Sequence, residues 1–289
     1  MSARTDLAVE TARRLSLYKD IEGVNRQIKI DEAAQAEIAD ITIESDEAAR
    51  LIGRPKGRYI TVKALDGSFE GYSPCFDLRC KLIAAQLRTL CGGAKSILVA
   101  GLGNRSITAD SLGPLCADRI FATRHIKKYA RELDSSRLTE LSVIETGVLG
   151  QTGIEAGEQV KAVCQAIKPD LVIAVDALAC WELDHLGRTI QICDTGISPG
   201  SGVANDRREL SRATLGVTCI AVGVPMVIDL ATAAEKIFGA KPPEGSARMT
   251  VTPGSADKLA AASAEYIAMG INLAYQQDMT PEELRSVIA

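Results

Sequence analysis

Histidine is nearly absent from this chain: His125 and His185 are the two copies in 289 residues. No H-E-x-x-H segment is present, and the G-x-S-x-G spacing at Gly196-Ile-Ser-Pro-Gly200 falls in a glycine-rich loop between two strands rather than on the strand-to-helix turn of a nucleophile elbow. Gly200-Ser201-Gly202 matches such an elbow only loosely and reads better as a flexible turn. A histidine-dependent triad is therefore disfavoured. His125 falls on a helical stretch among Arg124, Lys127 and Lys128, where a solvated face is the plainer reading; His185 follows the acidic WELD segment in a loop. Aromatics make up only 4% of the chain, which disfavours platforms that stack single-stranded bases. A basic excess is missing too, since the net charge is −4, and this argues against direct nucleic-acid binding. No run of about 18 apolar residues occurs, so no membrane span is expected. The opening MSARTDLAVETARRL lacks the apolar core of a signal peptide, and a cytoplasmic protein is expected. The eight cysteines include no C-x-x-C pair. Cys116, Cys193 and Cys219 lie inside apolar segments, so reduced core thiols are expected rather than disulfides or metal ligands.

What the chain does have is an alternation of apolar strands and amphipathic helices. Residues 7–95 read as a lead-in, with helical spacing over Leu7–Ile21 and around Ala33–Ile38. A short strand is expected at Ile41–Glu44, a second at Tyr59–Ala64, and a helix at Phe76–Leu90 closed by Gly92-Gly93. From Ser96 the pattern becomes that of a predominantly parallel α/β sheet flanked by helices. Strands are expected at 96–100, 142–145, 171–176, 189–194 and 218–222. Helices are expected at 112–129, 155–167 and 225–239. Thr252-Pro253 reads as the start of a long helix whose stripe Leu259, Ala262, Tyr266, Met269 and Leu273 packs in the core. Thr280-Pro-Glu-Glu283 has capping-box spacing. One α/β domain with a small β-containing lead-in is the simplest partition.

Two strands deliver a carboxylate to the same end of this sheet. SILVAGLGNRSITADSLGP, from Ser96, runs through a glycine turn to Asp110, and PDLVIAVDALA, from Pro169, carries Asp176 after an apolar run. Gly101-Leu-Gly103-Asn-Arg-Ser106 stops short of a dinucleotide fingerprint because serine stands where the third glycine belongs. Each aspartate has a plainer reading as a helix cap. If the two meet in one cleft, they share a proton and titrate as a pair: one takes a proton from water while the other donates to a carbonyl oxygen. That is a minimal apparatus for hydrolysing a peptide bond. Asp194 and Asp229 are further acids able to line such a cleft. The glycine loops 101–103 and 196–202, with Asn104, Gly200 and Gly202, would let a substrate backbone approach. Arg54, Lys56 and Arg58 are candidate readers of substrate acidity.

At these residues the chain resembles the germination proteases of spore-forming bacteria. The resemblance is carried by RTDLAVE (4–10), GRPKGRYIT (53–61), GLGN…TADSLGP (101–114), PDLVIAVDALA (169–179), QICDTGISPGSGV (191–203), TLGV…AVGVP (214–225) and MTVTP (249–253). It implies an atypical aspartic endopeptidase that degrades small acid-soluble spore proteins, with its two essential acids carried over to Asp110 and Asp176. It also implies a homotetramer in the developing spore, no metal or organic cofactor, and removal of a short precursor segment by self-cleavage at Asp6–Leu7. Only Met-Ser-Ala precedes RTD here, so the precursor segment is shorter than is usual for the family, and the chain is also shorter around Lys241–Ser246 and at the C-terminus. The implied fold is similar to that of hydrogenase maturation proteases. Two other readings stay open: a metal-dependent maturation-type endopeptidase and a catalytically silent binding scaffold.

Overall fold

The computed structural model describes residues 5–16, 21–67, 69–71, 73–129, 136–198, 209–239 and 249–288. Gly200, Gly202, the remainder of the glycine-rich loop through Val203 and the polar stretch from Lys241 to Ala247 lie outside these.

The described strands are β1 (Val24–Asp31), β2 (Ala36–Ile43), β3 (Gly57–Ala64), β4 (Ser96–Leu102) and β5 (Glu140–Gly147), then β6 (Leu171–Cys180), β7 (Thr189–Cys193), β8 (Thr218–Asp229) and β9 (Thr250–Val251). All belong to one sheet in the order β1-β2-β3-β7-β8-β6-β4-β5, with β9 paired to β8. Strands β5, β4, β6 and β8 run parallel; β1, β2, β3 and β7 extend them as an antiparallel wing. The lead-in is thus a continuation of the main sheet, joined through β7. Strands β6 (LVIAVDALAC) and β8 (TCIAVGVPMVID) are almost wholly buried, as expected for parallel strands covered on both faces.

The helices are α1 (Ala8–Ser16), α2 (Asp46–Ile52), α3 (Phe76–Cys91), α4 (Leu112–Ala117), α5 (Arg124–Tyr129) and α6 (Leu149–Thr152), then α7 (Ala156–Ile167), α8 (Arg212–Leu215), α9 (Leu230–Phe238), α10 (Ala256–Tyr275) and α11 (Pro281–Ile288). One face of the sheet packs on α3, α4, α10 and α11 through Ile83, Leu87, Leu112, Tyr266, Ile267 and Leu284. On the other face α7 covers β4 and β6, while α1 and α2 cover the region around Leu178, Cys180 and Cys193. Gly270 lets α10 lie close to α3: a methyl there would stand 2.5 Å from Ile83 Cγ2.

Several expected boundaries move, each for a tertiary reason. Ala33–Ile38 is the turn and first residues of the β1–β2 hairpin, not a helix. The expected helix 112–129 is two short helices because Asn272 of α10 captures the chain between them. Its Oδ1 accepts Phe121 N–H at 3.0 Å and its Nδ2 donates to Arg119 O at 2.9 Å. Residues 225–229 belong to β8, not to a helix; Pro225 is tolerated there beside a register shift opposite Leu178–Ala179. Helix α10 starts beyond Ser255, and the Thr252 hydroxyl donates to Met226 O at 2.8 Å rather than capping it. The Thr280–Glu283 box forms as expected: Thr280 N–H donates to Glu283 Oε2 at 2.7 Å, and Glu283 N–H to Thr280 Oγ1 at 3.2 Å. All eight cysteines are free thiols, six of them buried.

Candidate active site

The site begins where two parallel strands part. Strands β4 and β6 pair from Ile97↔Leu171 to Gly101↔Val175; β6 then continues against β8 as far as Cys180. Asp176 is the first residue of β6 beyond that pairing. It does not close its strand, as the sequence suggested, because β8 keeps pairing with β6 for four more residues of β6. It is 5% exposed, and its Oδ1 accepts the Ala177 N–H at 2.9 Å.

Strand β4 turns away at Gly103, whose φ of +108° favours glycine. The loop that follows closes on Asp110, the last residue of a 3-10 turn over Thr108–Asp110. Asn104 N–H donates both to Asp110 O at 3.0 Å and to its carboxylate Oδ2 at 2.8 Å. Asp110 is therefore not the cap of α4; that position is Ser111. The start of α4 is wedged into the fork, with a methyl on Gly113 falling 2.2 Å from Leu102 O and 2.5 Å from Val175 O. This wedge brings the Thr108–Asp110 turn against β6 and β8, so both candidate acids lie at the same end of the same strands.

The other expected site residues divide. Gly101 and Gly103 are buried and meet this chain's own backbone, not a substrate's: a methyl on Gly101 would sit 2.3 Å from Gly113 O, and one on Gly103 2.2 Å from Asp110 O. Their smallness lets α4 dock and the Asp110 loop close. Asn104 holds that loop, its Oδ1 accepting from Ser106 N–H at 2.9 Å and Gln151 Nε2 at 2.7 Å. Asp194 is exposed at the end of β7 and takes the Arg58 N–H at 2.8 Å, away from the two acids. Asp229 caps α9 through Ala231 N–H at 3.4 Å. Lys56 and Arg58 pair with Asp46 and Asp40, so of the three cations only Arg54 faces the groove described next.

A groove of about 230 Å³ lies on the face of the sheet that carries Asp176, lined among others by Asp6, Arg54, Tyr59, Leu178, Gln191 and Gly223. Burial pushes the Tyr59 phenol and the Cys193 thiol up, so both stay neutral. The chain's own segment Thr5–Ala8 crosses this face. Asp6 N–H donates to Ala179 O and Ala179 N–H to Asp6 Oδ2, each at 2.8 Å. Gln191 Nε2 donates to Asp6 O at 2.7 Å while Gln191 Oε1 accepts the Ala8 N–H at 2.9 Å. Arg54 donates to Thr5 O and stands 3.9 Å from the Asp6 carboxylate. Leu7 behind it is fully buried. Glu10, also buried, accepts the Trp181 and Glu182 N–H groups at 2.7 and 2.8 Å and pairs with His185 Nδ1 at 2.7 Å. His185 thus helps to anchor α1, and His125 is exposed on α5. Sequence reasoning missed Gln191; its signal was a lone amide inside the apolar strand TIQIC. Among the described residues no group of three or more His, Cys, Asp or Glu is gathered closely enough to hold a metal ion.

Residues 3–239 match the family model described as germination protease. A germination protease of Clostridium acetobutylicum is 35% identical over 327 residues, covering 99% of both chains. That of Caldanaerobacter subterraneus is 35% identical over 323 residues, covering all of this chain and 98% of its own. That of Bacillus subtilis is 38% identical over 241 residues, covering 80% and 64%. Among solved structures, a [NiFe] hydrogenase maturation protease HycI from Thermococcus kodakarensis aligns over 65% of this chain and 99% of its own, at 22% identity and a TM-score of 0.38. The chain is a peptidase and belongs to the germination protease family.

Proposed function

We propose that this peptidase is an atypical aspartic endopeptidase in which Asp110 and Asp176 act as a pair, and that its substrates are small acid-soluble spore proteins degraded at germination in the spore core. One carboxylate takes a proton from water as it adds to the scissile carbonyl, while the other, protonated, donates to the carbonyl oxygen; the acid groups then return the proton to the leaving amine. The observation that carries this reading is the Thr5–Ala8 segment, which leads into α1 and is hydrogen-bonded to β6 and β7 on the face that bears Asp176. In this reading Asp6–Leu7 is the self-processing bond, residues 1–6 are the leaving segment, and residues 7–289 form the single peptidase domain. Assembly as a homotetramer is part of the proposal; the exposed edge strand β1, with Ile28 and Ile30 facing solvent, offers one surface for it.

The test is a digest of a small acid-soluble spore protein by the purified chain, with and without chelator. Cleavage that ignores chelator but is lost in both Asp110→Asn and Asp176→Asn supports the aspartate pair. Inhibition by chelator turns the assignment to metal-dependent chemistry. Absence of cleavage, even after removal of residues 1–6, leaves a binding scaffold.

A further inference from the structure

Strands β6, β8 and β7 are adjacent, and Asp176, Gly223 and Gln191 are directly opposite one another across them. Directly opposed residues point to the same face, so the carboxylate and the amide stand on either side of Gly223, over which the Leu178 side chain packs: a methyl on Gly223 would stand 2.6 Å from Leu178 Cγ. Two strand spacings separate their backbones by roughly 9–10 Å. Leu178, Gly223 and Gln191 line one groove, and the Asp6–Leu7 link lies there against Gln191. Gln191 is 6% exposed, and its amide can be oriented only one way. The Asp6 carbonyl can only accept, so it faces Nε2; the Ala8 N–H can only donate, so it faces Oε1.

We propose that Gln191 is a catalytic residue: its Nε2–H stabilises the negative charge that develops on the scissile carbonyl oxygen, while its Oε1 holds the amide on the far side of the bond. This rests on the reading of Asp6–Leu7 as a bond the site cleaves. Water adds to the Asp6 carbonyl carbon, forming a C–O bond as the C=O π electrons move onto oxygen. Gln191 donates to that oxygen. The carbonyl then re-forms as the C–N bond to Leu7 breaks and the amine takes up the protons of the added water, leaving a carboxylate on Asp6 and an ammonium on Leu7. A preformed donor of this kind, buried and already aimed at the oxygen, commonly contributes roughly 10²–10³-fold in rate. Because both contacts are to backbone, Gln191 acts whatever the side chains of the substrate.

Self-cleavage of the full chain, followed by mass spectrometry for the species beginning at Leu7, gives the rate. The variants are Gln191→Ala, Gln191→Glu and, as a reference, Asp176→Asn, each checked for folding by thermal melting. Gln191→Glu is nearly isosteric and keeps the acceptor for the Ala8 N–H but, once ionised, has no proton for the carbonyl. The expected result is a fall of about 100-fold or more for both Gln191 variants. The deficit of Gln191→Glu should narrow as the pH falls and its carboxyl becomes a donor. A purely positioning role predicts instead that Gln191→Glu cleaves near the parent rate at every pH, and that result overturns the inference. If Asp176→Asn is inactive while Gln191→Ala keeps the parent rate, the inference alone fails. If the unsubstituted chain never releases residues 1–6, or if Asp176→Asn still does, the reading of the site fails and the inference goes with it.

Discussion

Replacing Gly113 by alanine adds one methyl at the point where α4 is wedged between β4 and β6. That carbon would stand 2.2 Å from Leu102 O, 2.4 Å from Leu102 N and 2.5 Å from Val175 O. Comfortable packing begins at about 3.5 Å, so α4 must lift by about 1 Å. All three obstacles are backbone atoms of central strands and have no rotamer to change. The cost therefore belongs at the upper end of overpacking, about 3 kcal/mol. In a chain of this size that lowers the melting temperature by roughly 6 °C or more. Asp110 lies three residues before Gly113, so the lift also displaces that carboxylate, and an error of about 1 Å in a reacting group costs on the order of 100-fold in rate. Calorimetry and the digest of a spore-protein substrate read the two effects separately. Gly150→Ala is the matched control, since a methyl there meets nothing within 4 Å and its φ is not positive; it should melt at or slightly above the parent temperature. A Gly113→Ala chain that melts with the parent and cleaves at the parent rate would refute the wedge and its coupling to Asp110.

Three further outcomes follow from other parts of the fold. Arg79 is fully buried and binds Ala34 O, Gln35 O and the half-buried Asp66 carboxylate. Asp66→Asn should cost about 2 kcal/mol in urea unfolding, less than the loss of a wholly buried pair because Asp66 is 34% exposed. Burial alone would raise the Asp66 pKa, but the Arg79 hydrogen bond and charge outweigh it and hold the value below 3.8. The stability it contributes is therefore present above the unfolded-chain value and disappears as pH falls through the lower folded one; Asp66→Asn should flatten that acid limb. Thr280→Ala removes half of the reciprocal cap of α11 and should lower the urea midpoint by about 1 kcal/mol equivalent with an unchanged slope. Iodoacetamide at pH 8 should modify the partly exposed Cys75 and Cys91 of the native chain and spare the six buried thiols, among them Cys116, whose pKa burial pushes up to about 12; rapid native labelling of Cys116 would contradict its packing.

Much of the architecture was legible because its causes are local or periodic. The apolar runs of β4, β6 and β8, the Gly-x-Gly break after β4 and the Thr280–Glu283 cap each declare themselves within a few residues. Asp176 could be picked out because a carboxylate after an apolar run is conspicuous against burial, and Asp110 because it lies in the polar loop that follows the Gly-x-Gly break. The errors came where distant groups decide. Asn272 breaks a helix that Leu112–Tyr129 would otherwise continue, because its amide takes Phe121 N–H and Arg119 O from more than a hundred residues away in the chain. Gly101 and Gly103 looked like room for a ligand, yet that room is filled by Gly113 and Asp110.

The sequence by itself determined the α/β alternation, the free thiols and the two strands that deliver Asp110 and Asp176, since hydrophobic periodicity and turn chemistry act over short distances. Only the tertiary structure decided that Gln191 stands opposite Asp176 across Gly223, with Thr5–Ala8 lying over that face. Strand order and register are set by which apolar faces can be buried together, and no local pattern reports which residues will then be opposed.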